Sequence, residues 1–419
     1  MKKTLSCLVA LSLFTAGSAF ASGYRIPEQS VNAISKSNAN IASASSADAA
    51  YYNPAGAAML KDGWITEINF NYIHLTSSKY EDARSPLYSG ESREDDFLLP
   101  TLFLLAPKWH GFRFGFSVTA PYGLARRWDS PYAKTFAEKF SVQVFDINPT
   151  LSYEIIPDKL AVAVGGRAIY AKATVMSNGT VDPAGINASR AMSGDTHEWG
   201  WNAAIDYKPT KEWNIAATYR SHVDLDYEGD AILKTNYPPG MPFNHVATRG
   251  SVTVAAPAVL AIATSYTFFD RLTVELGWDR TFWSEYENLD FRYDQTIYSP
   301  VLNNAFNTTV PKNWDDSDAY RLGLEYVTTD KLTLMAGVCY DKTPAPDSTL
   351  GFELPDSDAW LFSVGARYAI NDKMEVGLGV LYDVKESRTV NNLDQGGHAN
   401  GEFSDMAGIL VSAGFQYRF

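Results

Sequence analysis

The sequence has 419 residues, 46% hydrophobic and 13% aromatic, with 24 Tyr, 22 Phe and 10 Trp, and a formal net charge of −13. That length could hold two or three soluble domains, yet after residue 20 no apolar stretch approaches the ~20 residues a membrane helix needs, so helical spanning is excluded. The acidic balance argues against a nucleic-acid partner, which requires a basic face.

Residues 1–21 have an export pattern: Lys2 and Lys3, an apolar run from Leu8 to Phe14, then Ala19-Phe20-Ala21 as a small-x-small cleavage site. Ser22 is expected to begin the mature chain. Cys7 precedes the apolar run, which argues against lipid modification. With the signal removed, Cys339 alone remains and no internal disulfide can form.

Residues 22–60 are rich in Ala, Ser and Asn, too few and too polar for a core of their own. Against a disordered leader stand the apolar Ile26, Val31, Ile34 and Ile41, and the fixed φ of Pro54 beside Asn53, which can hydrogen-bond its own turn.

From Trp64 onward the signal is period two. In "GILVSAGFQYRF" Ile409, Val411, Ala413, Phe415, Tyr417 and Phe419 share one face, opposite Ser412, Gly414, Gln416 and Arg418. About fourteen strands are expected, near 64–75, 98–107, 112–120, 145–154, 160–174, 198–207, 213–230, 246–268, 272–283, 318–327, 332–341, 358–369, 374–383 and 406–419. Short connections such as "KWHG", "KPTKE" and "INDK" alternate with long ones such as 284–317 and 384–405. A sandwich has no reason to sort its loops in this way. An outer-membrane barrel does, with turns on the periplasmic side and loops outside. Aromatics at strand ends, among them Trp64, Trp199, Tyr207, Trp213, Trp283, Tyr320, Trp360 and Tyr417, fit the two interfacial girdles. The expected fold class is therefore all-β, a transmembrane antiparallel barrel over 61–419. Its lumen must be occupied or it will leak.

The segment "ADAAYYNPAGAAML", preceded by "SGYRIPEQS", resembles the N-terminal hatch of the FadL/TodX family of outer-membrane transporters for hydrophobic compounds. The likeness continues through "PYGLARRWDSPYA", "INPTLSYEIIPDKLAVAVGGRAIYAKA", "WNIAATYRSHVDLDYEGDA" and "LPDSDAWLFSVGARYAINDKMEVGLGVLYDV". The resemblance implies a fourteen-stranded barrel plugged by residues 22–60, with Asn53, Pro54 and Ala55 as the rigid elbow of a hatch gate. It implies lateral exit through a gap in a kinked third strand. Here Pro121 lacks an amide hydrogen and Gly123 weakens pairing, so a break is chemically reasonable. It further implies a basic anchor for a carboxylate head group at Lys172 and Lys312, and apolar capture at the outer loops by Leu124, Trp128, Tyr132 and Phe136.

Arg113, Arg167, Arg220, Arg321 and Arg367 fall on polar faces and are expected in lumen salt bridges with Glu275, Glu325 or plug residues. A terminal Phe419 on an alternating strand resembles the signal read by the barrel-assembly machinery. Six His in dispersed contexts and no Gly-x-Ser-x-Gly or His-Glu-x-x-His argue against an enzyme, and no cofactor or metal is implied. The expected function is passive uptake of long-chain fatty acids across the outer membrane of a Gram-negative bacterium, among outer-membrane lipid and lipopolysaccharide. Aromatic or aliphatic hydrocarbons are the alternative cargo, and a general diffusion porin, a binding-free pore of similar architecture, is the further alternative function.

Overall fold

The computed structural model describes residues 23–180 and 185–419, so the expected export signal and its cleavage point lie outside the described residues. Fourteen antiparallel strands form one closed wall. They are β1 (Ile65–Leu75), β2 (Asp95–Leu105), β3 (Phe112–Arg127), β4 (Lys139–Ile156), β5 (Leu160–Thr180), β6 (Asn187–Tyr207), β7 (Trp213–Arg220 continued by Val223–Thr235), β8 (His245–Ala256 continued by Val259–Phe268), β9 (Leu272–Thr281), β10 (Ser317–Val327), β11 (Leu332–Asp341), β12 (Ala359–Ala369), β13 (Met374–Lys385) and β14 (Ala407–Arg418). The last strand pairs with the first from Ile65↔Arg418 to Leu75↔Gly408, which closes the sheet.

The polarity is inverted relative to a soluble protein. Along β1, Glu67, Asn69 and Asn71 are fully buried, whereas Ile68, Phe70 and Tyr72 are 42%, 53% and 41% exposed. A wall with polar residues inside and apolar residues outside is stable only in hydrocarbon, where closure also satisfies the backbone. Among the described residues no helix is long and apolar enough to cross a membrane. Trp64, Trp199, Tyr207, Trp213, Tyr320 and Trp360 stand exposed on the outer face, as an interfacial girdle requires. Trp283 does not join them. It lies just beyond the end of β9, where the chain turns inward, and it is fully buried.

Residues 23–60 pack inside the wall around three short helices, α1 (Val31–Ser35), α2 (Ala49–Tyr52) and α3 (Pro54–Ala57). None has the length to be stable alone. Local caps start α1 and α3: the Ser30 hydroxyl accepts from Ala33 N–H at 3.2 Å, and the Asn53 side-chain oxygen accepts from Gly56 N–H at 2.9 Å with Pro54 at the first helical position. The buried Asp48 carboxylate gathers the segment by accepting from Ser30, Asn32 and Asn40.

Charged groups fasten this segment to the wall. Arg321 lies 3.1 Å from Asp279 and donates to the Ser37 carbonyl at 2.8 Å, while Arg25 reaches the same Asp279 at 3.3 Å. Lys36 joins Glu325, and Arg367 donates to the Asn32 amide oxygen while it pairs with Glu67 and Glu375 of the wall; the Arg167–Asp146 pair lies within the wall. Glu275 accepts the backbone N–H groups of Ile41 and Ser43. One of the expected arginines acts otherwise: Arg113 donates to the carbonyls of Ala57 and Leu60. Arg220 lies 3.9 Å from Asp146 and also grips the plug, 3.7 Å from the centre of the Tyr51 ring and donating to the Tyr51 carbonyl.

Candidate functional site

The third strand carries the one large defect in its neighbourhood. β3 pairs with β2 only from Leu102↔Val118 to Leu105↔Gly115, although β2 pairs with β1 along its whole length. Beyond Val118 the β3–β4 register shifts between Thr119 and Tyr122. Pro121 sits in that interval without an N–H to offer. Contact between β2 and β3 resumes only at the outer end, where Ser92 bridges Trp128 and Arg93 N–H donates to the Arg127 carbonyl at 2.7 Å. The result is a window in the outward half of the wall, bounded above and below by backbone hydrogen bonds.

The plug's first residues occupy the bare edge of β3. Ile26 N–H donates to the Pro121 carbonyl at 2.8 Å, and Gly123 N–H donates to the Tyr24 carbonyl at 2.9 Å, with Arg25 opposite Tyr122. The Gln29 carboxamide completes the repair, accepting from Ala120 N–H and donating to its carbonyl. Glycine at 123 eases this approach: a Cβ there would stand 2.9 Å from Ile26 Cδ1, so the end of the Ile26 side chain would have to move aside. The hydroxyls of Tyr24 and Tyr122 donate to the carbonyls of Ala255 and Pro257, where β8 is itself broken.

Behind the window lies a cavity of about 310 Å³, at the lower end of the size range of small-molecule sites. Its walls are mostly apolar, including Ile26, Leu75, Phe97, Leu99, Leu124 and Val144, with Arg126 and Gln143 among the few polar members. A second space of about 10 Å³ lies against Lys312, Tyr286 and Trp314. Tyr24, Leu124, Val142 and Leu354 line both, so they form the partition between them. Tyr24 meets Trp283 and Tyr286 edge-on, with ring centroids 4.6 and 5.9 Å apart.

Lys312 is buried and ion-paired with Glu353 from the loop between β11 and β12. Burial pushes the Glu353 carboxyl up, but the Lys312 ammonium outweighs it and holds the group below the usual carboxylate range. Lys172 is elsewhere. It is exposed on the outer face of β5, 5.3 Å from the Tyr170 ring centre, while its neighbours Ala171 and Ala173 point inward and are buried. The expectation of Lys172 on the lumen face is corrected by strand parity, which puts adjacent residues on opposite faces.

Of the expected capture residues only Leu124 lines the cavity. Trp128 is fully buried and its indole N–H donates to the Phe352 carbonyl at 2.8 Å. Phe136 stacks on Phe352 and His398, and Tyr132 donates to the His398 carbonyl at 2.6 Å. These three therefore form a packed roof under the outer loops instead of an open groove.

At the opposite end of the plug, the Asn53 amide donates to the Ile41 carbonyl at 3.0 Å and to Asp206 on β6. Pro54 and Ala55 are buried in α3 beside it, so the elbow is a capped helix start pinned to the wall. Phe419 is 69% exposed, and its N–H closes onto the Trp64 carbonyl at 3.1 Å. Sequence reasoning missed Tyr24, Gln29, Arg126 and Glu353. The first two were quoted within "SGYRIPEQS", but nothing in that stretch says which strand edge it repairs.

Comparison with known proteins agrees with this architecture. The sequence model described as "Outer membrane protein transport protein (OMPP1/FadL/TodX)" matches residues 12–419. The chain is 27% identical over 321 residues to a long-chain fatty acid transport protein of Escherichia coli O6:H1, covering 68% of this chain and 69% of that one. It is 24% identical over 428 residues to outer membrane protein P1 of Haemophilus influenzae, covering 91% and 90%. Among solved structures, a Pseudomonas aeruginosa FadL homologue superposes with a TM-score of 0.81 at 21% identity, covering 95% of this chain and all of that one. The Pseudomonas putida toluene transporter TodX gives 0.66 at 16%, covering 88% and 94%. These likenesses show the fold, and the match across almost the whole sequence shows the family. The chain belongs to the OMPP1/FadL/TodX family of outer-membrane transport proteins for hydrophobic compounds.

Proposed function

We propose that the protein takes up long-chain fatty acids passively and releases them sideways through the window between β2 and β3. The observation that carries this reading is the window itself. The ladder between β2 and β3 lapses there, an apolar cavity lies directly behind it, and the plug's first residues fill its edge. A cargo entering under the outer loops would pass Leu124 and the Lys312–Glu353 pair, displace the Tyr24 partition, and reach the window without crossing the charged lower lumen. Burial of about 0.8 kcal/mol per methylene supplies affinity for a long chain with few polar contacts. The Asn53–Asp206 latch would let the plug shift at one end while it stays anchored at the other.

Aromatic hydrocarbons are the second reading, and one observation favours it: Lys312 is already neutralised by Glu353, so the outer space carries no uncommitted charge for a head group.

Uptake of labelled oleate and of toluene by cells lacking their own transporters separates the two cargoes. The gate is tested by the double variant Arg25→Cys/Tyr122→Cys. These residues are bridge partners, and about 4.5–5.5 Å between Cα atoms suits a disulfide. The oxidised protein is expected to lose uptake and the reduced protein to regain it. Equal uptake in both states would remove the gate at the plug's first residues.

A further inference from the structure

Another cavity, of about 40 Å³, lies in the seam between plug and wall. Arg25, Asn38 and Tyr51 line it from the plug, and Tyr122, Arg167 and Arg220 from the wall. Three guanidiniums therefore border this space, and no carboxylate lines it. Arg25 is paired with Asp279. Arg167 and Arg220 share one carboxylate: Arg167 Nε donates to Asp146 Oδ2 at 2.8 Å, and Arg220 Nη1 stands 3.9 Å from the same oxygen. Arg167 Nη1 donates to the Ser221 carbonyl at 2.9 Å, and Arg220 Nη2 to the Tyr51 carbonyl at 2.6 Å. That leaves Arg167 Nη2 and Arg220 Nη1, both buried and without a hydrogen-bond partner among the described residues.

Two buried guanidiniums against one carboxylate are costly unless a further negative charge compensates them. The unbonded N–H groups are donors, and an anion accepts from a guanidinium in a stronger bond than a neutral group does. Size sets the class of ligand. A cavity of ~10–15 Å³ on this measure holds one water. One of about 40 Å³ has room for a monatomic anion with a water beside it, and none for an acyl chain. Asn38 Oδ1 and Asp146 Oδ1, buried acceptors without a hydrogen-bond partner, give that water its place.

We propose that Arg167 and Arg220 hold a chloride-sized monovalent anion in the seam, and that this anion cements the seated plug. The pocket exists only while both of its sides are in place, because Arg25, Asn38 and Tyr51 belong to the plug. A ligand that binds the seated state alone stabilises it by mass action. The pocket shares Arg25 and Tyr122 with the window cavity, so it is broken when the plug's first residues leave the β3 edge. The anion thus opposes opening whatever the cargo, and the inference does not depend on which hydrophobic compound is carried.

The test follows hydrogen exchange of residues 24–52 in the full chain, in lipid nanodiscs, with chloride or the bulky anion gluconate at equal ionic strength so that screening is the same. In the wild type, chloride at ten times its dissociation constant is expected to slow exchange about tenfold relative to gluconate. Arg167→Met leaves one guanidinium beside Asp146 and should abolish the chloride effect. Thr218→Asp puts a carboxylate on the pocket lining and should give a protected plug that ignores chloride. It serves alone should Arg167→Met fail to assemble. Wild-type crystals soaked in bromide and measured at its absorption edge should show a peak between Arg167 and Arg220. Equal exchange in chloride and gluconate for the wild type, a chloride effect retained in either variant, or a blank bromide map overturns the proposal and leaves the pocket to water.

Discussion

At the scale of single residues, a side chain's role follows from its face and its partners more than from its type. Asn53 caps α3 with its oxygen and ties the plug to Asp206 and Ile41 with its amide nitrogen. Asn53→Ala removes the cap, worth about 1 kcal/mol, and leaves the buried Asp206 short of a donor at a cost of roughly 1–3 kcal/mol. The expected outcome is faster hydrogen exchange across residues 41–60 in a normally assembled barrel. Protection equal to the wild type would show that the latch does not hold the plug. Lys172 teaches the same point from the other side. It was assigned by motif, while the alternation in "IYAKATV" already grouped it with Tyr170 and Thr174, away from the inward Ala171 and Ala173. Arg126 was hidden for the opposite reason. The third strand was expected to end near residue 120, so no parity was assigned to "ARRW", although the strand continues to Arg127.

At the scale of elements, the strands were legible wherever one face meets hydrocarbon. Their outer extensions were not. β5 runs to Thr180 and β6 starts at Asn187, well beyond the expected 174 and 198. There the wall stands clear of the bilayer and its outer face becomes polar, so the period fades while the hydrogen-bond ladder continues. The window was legible only as a weakness at Pro121 and Gly123. Its repair by Gly23–Ile26 joins residues about a hundred positions apart, and no local pattern encodes that. Gly123→Val places branched methyls against Ile26 and should push the plug's first residues off the β3 edge. The expected result is a barrel that assembles but admits bulky hydrophobic antibiotics faster. Unaltered susceptibility would mean that the window stays sealed without that strand pairing.

For the molecule as a whole, wall and plug have different sources of stability. The wall is a continuous ladder in hydrocarbon, where breaking any backbone pair is costly. The plug is held by buried charges, among them Arg321 on β10, which touches Asp279, Glu28 and the Ser37 carbonyl. Arg321→Met would leave Glu28 and Asp279 in the dry lumen with Arg25 as their nearby cation, a penalty of roughly 3–5 kcal/mol. In planar bilayers the variant is expected to show frequent large conductance steps over a closed wild-type background. A variant as quiet as the wild type would show that packing, not charge, seats the plug.

The plug's bonds to the wall also impose an order of events on folding. Arg25 meets Asp279 across 254 positions of chain, and Asn32 meets Arg367 across 335. Closing such loops is slow, and neither partner is in place until most strands have paired. The first residues to emerge from export are thus among the last to find their seats. Until the hoop between β14 and β1 is complete, the leading forty residues must be kept solvated, and their wealth of Ala, Ser and Asn suits a chain that has to wait without sticking.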